Sequence, residues 1–246
     1  MLKKNAAEGV HVVEDAFTNW FLLEDGGALT VVDTGHPRSW RSLQRALTAL
    51  GRSPADVAAV VLTHAHFDHM GFAARAHREL GVPVWAHERE RELVRRPWSY
   101  EHERSRLRYA ANPRFVAAFA AMGAAGALWV RGLDDVRTFG DEGELDVPGR
   151  PRIVFTPGHT HGHCAFHLPD RGAVIAGDAV VTFDPYTTRR GPRIVAGAAT
   201  ADSARALASL DALAATGAQT LLPGHGGRWT AGAAAAVEQA RAHGPS

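Results

Sequence analysis

The segment Thr63-His64-Ala65-His66-Phe67-Asp68-His69 places four metal-ligand side chains within six residues, directly after the apolar run 57–62. In an extended segment, residues two apart point to the same side, so His64 and His66 share a face. Asp68 and His69 then turn toward a second position. Two adjacent metal ions can take these four ligands more readily than one ion can from so short a loop. The segment therefore predicts a binuclear metal site at the end of a strand.

Three further candidate ligands follow downstream, each after a short apolar run and a glycine. They are His159 in TPGHT, Asp178 in IAGD and His225 in LPGHG. A glycine before the ligand is typical of a tight turn that presents a side chain at a strand end. The whole set holds five histidines and two aspartates, and such nitrogen and carboxylate ligands suit zinc, and also iron, manganese or nickel.

Five motifs, taken in order, resemble the metallo-β-lactamase superfamily of metallo-hydrolases, which includes enzymes similar to glyoxalase II and the lactonases. They are VVDTG (31–35), THAHFDH (63–69), TPGHTHGH (156–163), AGD (176–178) and PGHG (223–226). The resemblance covers most of the chain. It implies an α/β fold, the four-layered αββα sandwich, and we expect residues 1–246 to form it as a single domain.

The resemblance also implies a role for each ligand. It assigns one metal ion to His64, His66 and His159, and the other to Asp68, His69 and His225, with Asp178 as the bridge. The implied cofactor is two divalent metal ions, zinc before iron or manganese. A hydroxide shared by the two ions is the expected nucleophile, because metal binding lowers the pKa of water to about 7. Asp68 is the expected catalytic residue, since it lies beside that hydroxide and can accept its proton.

Other polar residues near the motifs are expected to support the ligands. Asp33 ends a strand, and we expect it to accept a hydrogen bond from a ligand histidine or to cap a turn. His163 is expected to play a similar supporting role. His161 is either exposed to solvent, the interpretation we favour, or in contact with substrate. Cys164 lies in a strand-like segment and is predicted to be a small residue of the core.

Composition limits the classes of function. The net charge of +1 leaves no overall electrostatic footprint for nucleic acid. The single cysteine excludes a disulfide within the chain and a cysteine-based zinc site. The charged start, residues 1–5, is not followed by an apolar core, so we expect neither a signal peptide nor a membrane span, and a cytoplasmic location.

Apolar periodicity and turn residues predict strands on both sides of a central insertion, with helices between them. The predicted strands are 10–13, 19–23, 28–32, 57–62 and 82–86. Strands return from residue 136 onward, most clearly at 153–155, 165–168 and 173–176, and a last one is predicted at 220–222. The predicted helices are 38–50, 72–80, 202–216 and 230–242. Because ligands come from both halves, the site is expected in the cleft where the sheet edges meet.

The insertion, residues 87–131, is rich in arginine and glutamate with aromatic residues between them. We expect two or three helices, broken near Pro97 and Pro113. One interpretation is a lid over the cleft, with Trp98 and Tyr100 as substrate contacts and arginines that meet an acidic group. Equally open is a solvated helical face with i,i+4 ion pairs. A surface for self-association into a homodimer is a further alternative.

The expected substrate is a small carbonyl compound: an ester, a thioester or a lactone. Lactonases of this superfamily carry a tyrosine shortly after the bridging aspartate. Tyr186 lies eight residues after Asp178, farther than in that pattern, so it is either a substrate contact or a packing residue. The alternatives are an iron-dependent non-hydrolytic enzyme similar to persulfide dioxygenases, and a β-lactamase or phosphodiesterase. The bridging Asp178 counts against a β-lactamase, and the full ligand set counts against a persulfide dioxygenase.

Overall fold

Two β-sheets lie face to face in the computed structural model, which describes residues 1–246. Alternate residues of a strand point to opposite faces, and strand Thr18–Asp25 shows the consequence. Its Phe21 and Leu23 point into the apolar layer between the sheets, whereas Trp20 and Leu22 pack on the other face beneath helices. A third apolar layer joins the second sheet to two C-terminal helices. The expected four-layered αββα sandwich is confirmed.

Seven strands form the first sheet, in the order of the sequence. They are β1 (Leu2–Ala7), β2 (Val10–Asp15), β3 (Thr18–Asp25), β4 (Ala28–Val32), β5 (Val57–Val61), β6 (Val84–His87) and β7 (Arg137–Phe139). Neighbours are antiparallel from β1 to β4 and parallel from β4 to β7. Parallel neighbours need crossover connections. These are α1 (Trp40–Leu50), α2 (Ala73–Leu80) and the insertion.

The second sheet has four strands, in the order β13-β10-β9-β8. They are β8 (Arg152–Phe155), β9 (Cys164–Leu168), β10 (Ala173–Gly177) and β13 (Thr220–Pro223). Strands β10 and β13 are parallel, connected through the hairpin β11 (Val181–Phe183) and β12 (Arg190–Arg193) and then α5 (Ser203–Ala214). Helix α6 (Ala233–His243) follows β13. Cys164 is fully buried between the sheets, and burial raises the pKa of its thiol.

Two elements were not predicted, the edge strand β1 and the hairpin of β11 and β12. The sequence of β1 is LKKNAA and that of β12 is RGPR. Charged residues are common on edge strands because they discourage pairing with other chains, so such strands lack the apolar alternation that identifies a buried strand. The predicted helices and strands are present, and their ends differ from the predicted ones by at most three residues.

The insertion contains two α-helices and short 3₁₀ turns. Helix α3 (Arg91–Arg95) ends just before Pro97. Helix α4 (Pro113–Ala124) begins with Pro113 in its first turn, and the Asn112 side chain caps it by accepting from the N–H of Arg114. Proline fits a first turn because its missing N–H would have no partner there. No helix of the chain is both long and apolar enough to cross a bilayer.

Candidate metal centre

The predicted ligands come together at one edge of the sandwich, where β5, β10 and β13 end and the loop after β8 returns. Three overlapping groups have ligand atoms that all lie within 4.8 Å of one another. They are His64, His66 and His159; Asp68, His69 and His225; and His64, His69 and Asp178. All seven side chains are buried. The first two groups coincide with the two ligand sets that the sequence predicts, and the assignment of metal ions to them stays a prediction.

Asp178 lies between the two groups. Its Oδ2 is 3.4 Å from Nε2 of His159 and 3.2 Å from Nε2 of His225. Its Oδ1 is 3.6 Å from Nε2 of His69. A side chain at position 224 would not fit here, because a Cβ on Gly224 would stand 2.1 Å from Oδ1 of Asp178. The carboxylate of Asp178 therefore lies close to ligand atoms of both groups.

The orientation of four histidines is set by hydrogen bonds on the nitrogen that faces away from the centre. Nδ1 of His69 lies 2.9 Å from Oδ2 of Asp33, and Nδ1 of His225 lies 2.7 Å from the carbonyl oxygen of Phe17. The hydroxyl oxygen of Thr63 lies 3.0 Å from Nδ1 of His64. The hydroxyl oxygen of Thr200 lies 3.3 Å from Nδ1 of His159. A bond on one ring nitrogen leaves the other free as a ligand and selects the tautomer.

Asp33 and His163 both lie beside the ligands. Asp33 accepts hydrogen bonds of 2.8 Å from the N–H and the hydroxyl of Thr63, in addition to its contact with His69. Its φ of 57° lies in the left-handed region, a strained conformation that these bonds maintain. His163 accepts from the N–H of Asp178 at 3.0 Å through Nε2 and contacts the hydroxyl of Thr156 at 2.8 Å. These contacts fix the relative positions of three loops that carry candidate ligands, in the segments 63–69, 156–163 and 176–178.

The donor set fits divalent cations. Nε2 of His64, Nε2 of His69 and Oδ1 of Asp178 are buried and have no hydrogen-bond partner. Such atoms are costly to bury unless something binds them. Imidazole nitrogen and carboxylate oxygen together are donors typical of zinc, iron and manganese sites. The residues could therefore hold two metal ions.

Burial and mutual charge set the protonation of the site. Burial lowers the pKa of His64 and His159 well below the usual value, and neighbouring histidines lower it further. Burial also lowers the pKa of His69, but the carboxylates of Asp178, Asp68 and Asp33 outweigh it and raise that pKa to about 10. His69 therefore lies among three carboxylates, those of Asp178, Asp68 and Asp33.

Asp68 and Asp178 remain ionised in this environment, whereas burial raises the pKa of Asp33. Burial alone would raise the pKa of Asp178, but His225 and His69 hold it well below the usual range. The pKa of Asp68 is likewise lowered because His69 and His225 outweigh its burial. The two anionic carboxylates and the neutral imidazoles of His64, His66 and His159 are donors that a cation can use.

A narrow cavity of about 20 Å³ opens onto the centre. Tyr100 and Tyr186 line it together with Asp68, Asp178 and His225. Both tyrosines are buried, and their hydroxyl oxygens are 3.5 Å apart. Burial raises the pKa of both hydroxyls, so they remain protonated donors.

Trp98 does not line this cavity. Its ring stacks on Phe67 at a centroid distance of 4.1 Å, and Phe67 lines the cavity. Trp98 itself is 37% exposed. His161 is exposed and contacts Oε2 of Glu101 at 3.1 Å.

Glu90 was not identified from the sequence. It lies in the insertion, residues 87–131, which is rich in arginine and glutamate. It is 1% exposed, whereas the alternative interpretation of this run was a solvated face. Its Oε2 accepts from the N–H of Ala65 at 2.8 Å, and its Oε1 accepts from the N–H of Gly162 at 2.9 Å. Glu90 thus joins the loop of His64 and His66 to the loop of His159. Nothing in its sequence surroundings distinguishes it from the exposed glutamates nearby.

Comparison with known proteins agrees with this geometry. The sequence profile described as the metallo-beta-lactamase superfamily matches residues 13–225. The probable metallo-hydrolase YflN of Bacillus subtilis is 25% identical over 182 residues, which are 73% of this chain and 67% of that protein. The hydroxyacylglutathione hydrolase of Gloeobacter violaceus is 30% identical over 167 residues, which are 65% of this chain and 48% of that one.

Solved structures show the same fold. The metallo-beta-lactamase family protein TTHA1429 from Thermus thermophilus superposes with a TM-score of 0.71 and 27% identity, over 96% of this chain and 79% of that one. TTHA1623, solved in a di-iron-bound form, gives a TM-score of 0.59 and 25% identity, over 89% of this chain and 93% of that one.

We expect Glu90→Ala to weaken metal binding by about 10- to 100-fold, as loss of a residue that orients ligand loops does elsewhere. The two N–H groups would remain buried without an acceptor, at about 1–3 kcal/mol each. Chelator competition followed by elemental analysis measures the affinity. Glu92→Ala is the matched control, since Glu92 lies two residues on with its side chain 66% exposed. Equal affinities in the two variants would contradict the positioning role.

The family profile over residues 13–225, the ordered motifs and the shared sandwich lead to one conclusion: this chain belongs to the metallo-β-lactamase superfamily.

Proposed function

We propose that the protein is a binuclear metal-dependent hydrolase of a small carbonyl substrate, an ester, thioester or lactone. The observation that carries the proposal is the pair of ligand groups joined at Asp178. Two similar curated relatives have hydrolase in their names, and one name specifies an acylglutathione as substrate. When bound, two divalent ions would supply Lewis acidity and a water activated at neutral pH.

The residues of the chain divide the remaining work. The triad His64, His66 and His159 would hold one ion, and Asp68, His69 and His225 the other, with Asp178 shared. Asp68 lines the cavity as an ionised carboxylate, so it can accept a proton from the attacking water. Its Oδ2 lies 3.4 Å from the hydroxyl of Thr18 and 3.4 Å from Nε2 of His225, which limits its movement.

The two tyrosines would bind the substrate carbonyl. Their protonated hydroxyls lie at the cavity wall beside Asp68 and can donate to an oxygen that gains negative charge. The ring of Tyr100 also packs against His66 at a centroid distance of 4.2 Å. Because Tyr100 belongs to residues 87–131, the insertion would act as a lid that covers the centre and selects substrate.

A second candidate is an iron-dependent, non-hydrolytic enzyme of the persulfide dioxygenase kind. One observation makes iron a candidate metal: TTHA1623, 25% identical over 89% of this chain, was solved in a di-iron-bound form. The donor set suits iron as well as zinc. A visible spectrum of the purified protein separates the two, since zinc is colourless and iron is coloured.

We expect close to two equivalents of metal per chain in protein purified without chelators. The reason is that seven buried ligands divide into two sets that share Asp178. Asp178→Asn should lower the content toward one equivalent, because the shared negative charge that offsets repulsion between two cations is lost. Elemental analysis gives the ratio. A wild-type ratio of one that added zinc or iron does not increase would rule out the binuclear centre.

Asp68→Ala should lower kcat/KM by at least about 100-fold, the lower end of what a general base contributes. Tyr186→Phe removes one hydroxyl and should cost about tenfold or less, in line with one hydrogen bond. Both values come from initial rates on any accepted thioester or lactone. Near-wild-type activity in Asp68→Ala would argue against the mechanism proposed above.

Substitutions in the insertion should alter substrate selection and leave metal content unchanged. Tyr100→Phe and Trp98→Ala are expected to change KM and the ranking of a thioester, lactone, ester and phosphodiester panel. Tyr100→Phe should have the larger effect because Tyr100 lines the cavity directly. Trp129→Ala is the control, since Trp129 lies in the same insertion but is 65% exposed. If all three variants keep the wild-type ranking, the insertion is not a selective lid, and self-association becomes the better explanation.

A further inference from the structure

The cavity at the metal centre is too small for the substrates proposed above. It measures about 20 Å³, which is room for about one water molecule. Every residue that lines it is buried except Phe119. Small-molecule sites occupy roughly 300–1,000 Å³. A part of the wall therefore has to move before an ester, thioester or lactone can reach the ligands.

A second cavity, of about 170 Å³, lies beside the first and is open to solvent. We call it the outer cavity. Glu92, Glu101 and His161 line it and are exposed, whereas the candidate ligand His159 also lines it and is 2% exposed. Tyr100 is the one residue that lines both cavities. The side chain of Tyr100 therefore separates the outer cavity from the metal centre.

Tyr100 lies in a segment, residues 99–105, that forms neither helix nor strand. Its hydroxyl oxygen is 3.5 Å from that of Tyr186, which is long for a hydrogen bond between hydroxyls. The opposite wall is held more firmly, because buried Asp184 accepts from the N–H of Tyr186 at 3.0 Å and from the hydroxyl of Thr187 at 2.6 Å. Tyr100 is thus the part of the wall that can move with least loss of bonding.

Three residues after Tyr100, Glu103 ties this segment to helix α5. Its Oε1 accepts from the N–H of Ser203 at 2.7 Å, and its Oε2 accepts from the hydroxyl of Ser203 at 2.6 Å. Ser203 is the first residue of α5, where the helix dipole also favours a carboxylate. Charge-assisted bonds of this kind are about twice as strong as neutral ones. Glu103 therefore holds the segment more strongly than the contact between the two tyrosines does.

We propose that Tyr100 is a gate between the outer cavity and the metal centre, and that Glu103 is a positioning residue that keeps the gate closed. When residues 99–105 move away from α5, the Tyr100 ring leaves His66 and the two cavities join. The substrate then passes His159 to reach the centre, and return of the segment brings the Tyr100 hydroxyl back beside Asp68. The choice of substrate rests on the proposed function, but the gate controls the access of any small molecule.

The test measures access to the centre and not turnover. Zinc-loaded protein is mixed with the chromogenic chelator 4-(2-pyridylazo)resorcinol, and the rate of zinc removal is recorded at several chelator concentrations. Glu103→Ala should raise this rate by about tenfold or more at unchanged zinc content, because the closed state loses two charge-assisted bonds. Tyr100→Ala should raise it at least as much, because the separating side chain is gone.

A double variant distinguishes a gate from general loosening of the fold. If Glu103 acts through Tyr100, Glu103→Ala should add no further increase in the Tyr100→Ala background. Ser203→Ala removes one of the two donors and should give a smaller increase than Glu103→Ala, so it decides the result even if Glu103→Ala does not fold. Glu88→Ala is the control, since Glu88 is an exposed carboxylate of the same insertion, and it should release zinc as the wild type does.

The gate is refuted if Glu103→Ala and Ser203→Ala both release zinc at the wild-type rate, or if Glu88→Ala accelerates release equally. It is also refuted if Glu103→Ala accelerates release as strongly in the absence of the Tyr100 ring. Glu103 would then act through Thr200, whose carbonyl oxygen accepts from the N–H of Glu103 and whose hydroxyl contacts His159. A zinc-loaded protein that hydrolyses no carbonyl substrate would refute the proposed function, and the release rates would still decide on the gate.

Discussion

The concentration of buried ionisable groups at one edge of the sandwich is the constraint on which the rest of this structure depends. Asp33, Asp68 and Asp178 are all removed from water, and a buried carboxylate is stable only with partners. Protein donors supply some of these partners, and the arrangement of the remaining atoms fits metal ions. Each loop at this edge is therefore shaped by contacts that hold a ligand, such as Asp33 against His69 or His163 against the backbone of Asp178.

The insertion is tied to this edge in two ways that differ in kind. Glu90, at its start, accepts hydrogen bonds from two ligand loops and thereby sets the position of histidines that it does not touch. Tyr100, farther along, packs on His66 and forms part of the cavity wall. If the insertion acts as the proposed lid, substrate selection and the positions of the candidate ligands are linked through this one segment.

The loop that carries His225 is held against the first sheet by hydrogen bonds from Asn19 of β3. Its amide donates to the carbonyl oxygens of Pro223 and Gly226, which flank His225. The N–H of Asn19 adds a third bond, of 2.7 Å, to the carbonyl oxygen of Gly224. Strand β3 of the first sheet therefore positions the loop of His225, which follows β13 of the second sheet.

The sequence by itself was enough to predict the family, the layered fold and the seven clustered side chains, because five short motifs in order resemble the metallo-β-lactamase superfamily and each motif is a local pattern. Only the tertiary structure decided which polar residues support those ligands. Glu90 looks like its exposed neighbours, and Thr200 lies 41 positions from the His159 ring that it contacts. Edge strand β1 was missed because charge replaces alternation there. Burial and long-range hydrogen bonds depend on chain packing, and no short stretch of sequence encodes them.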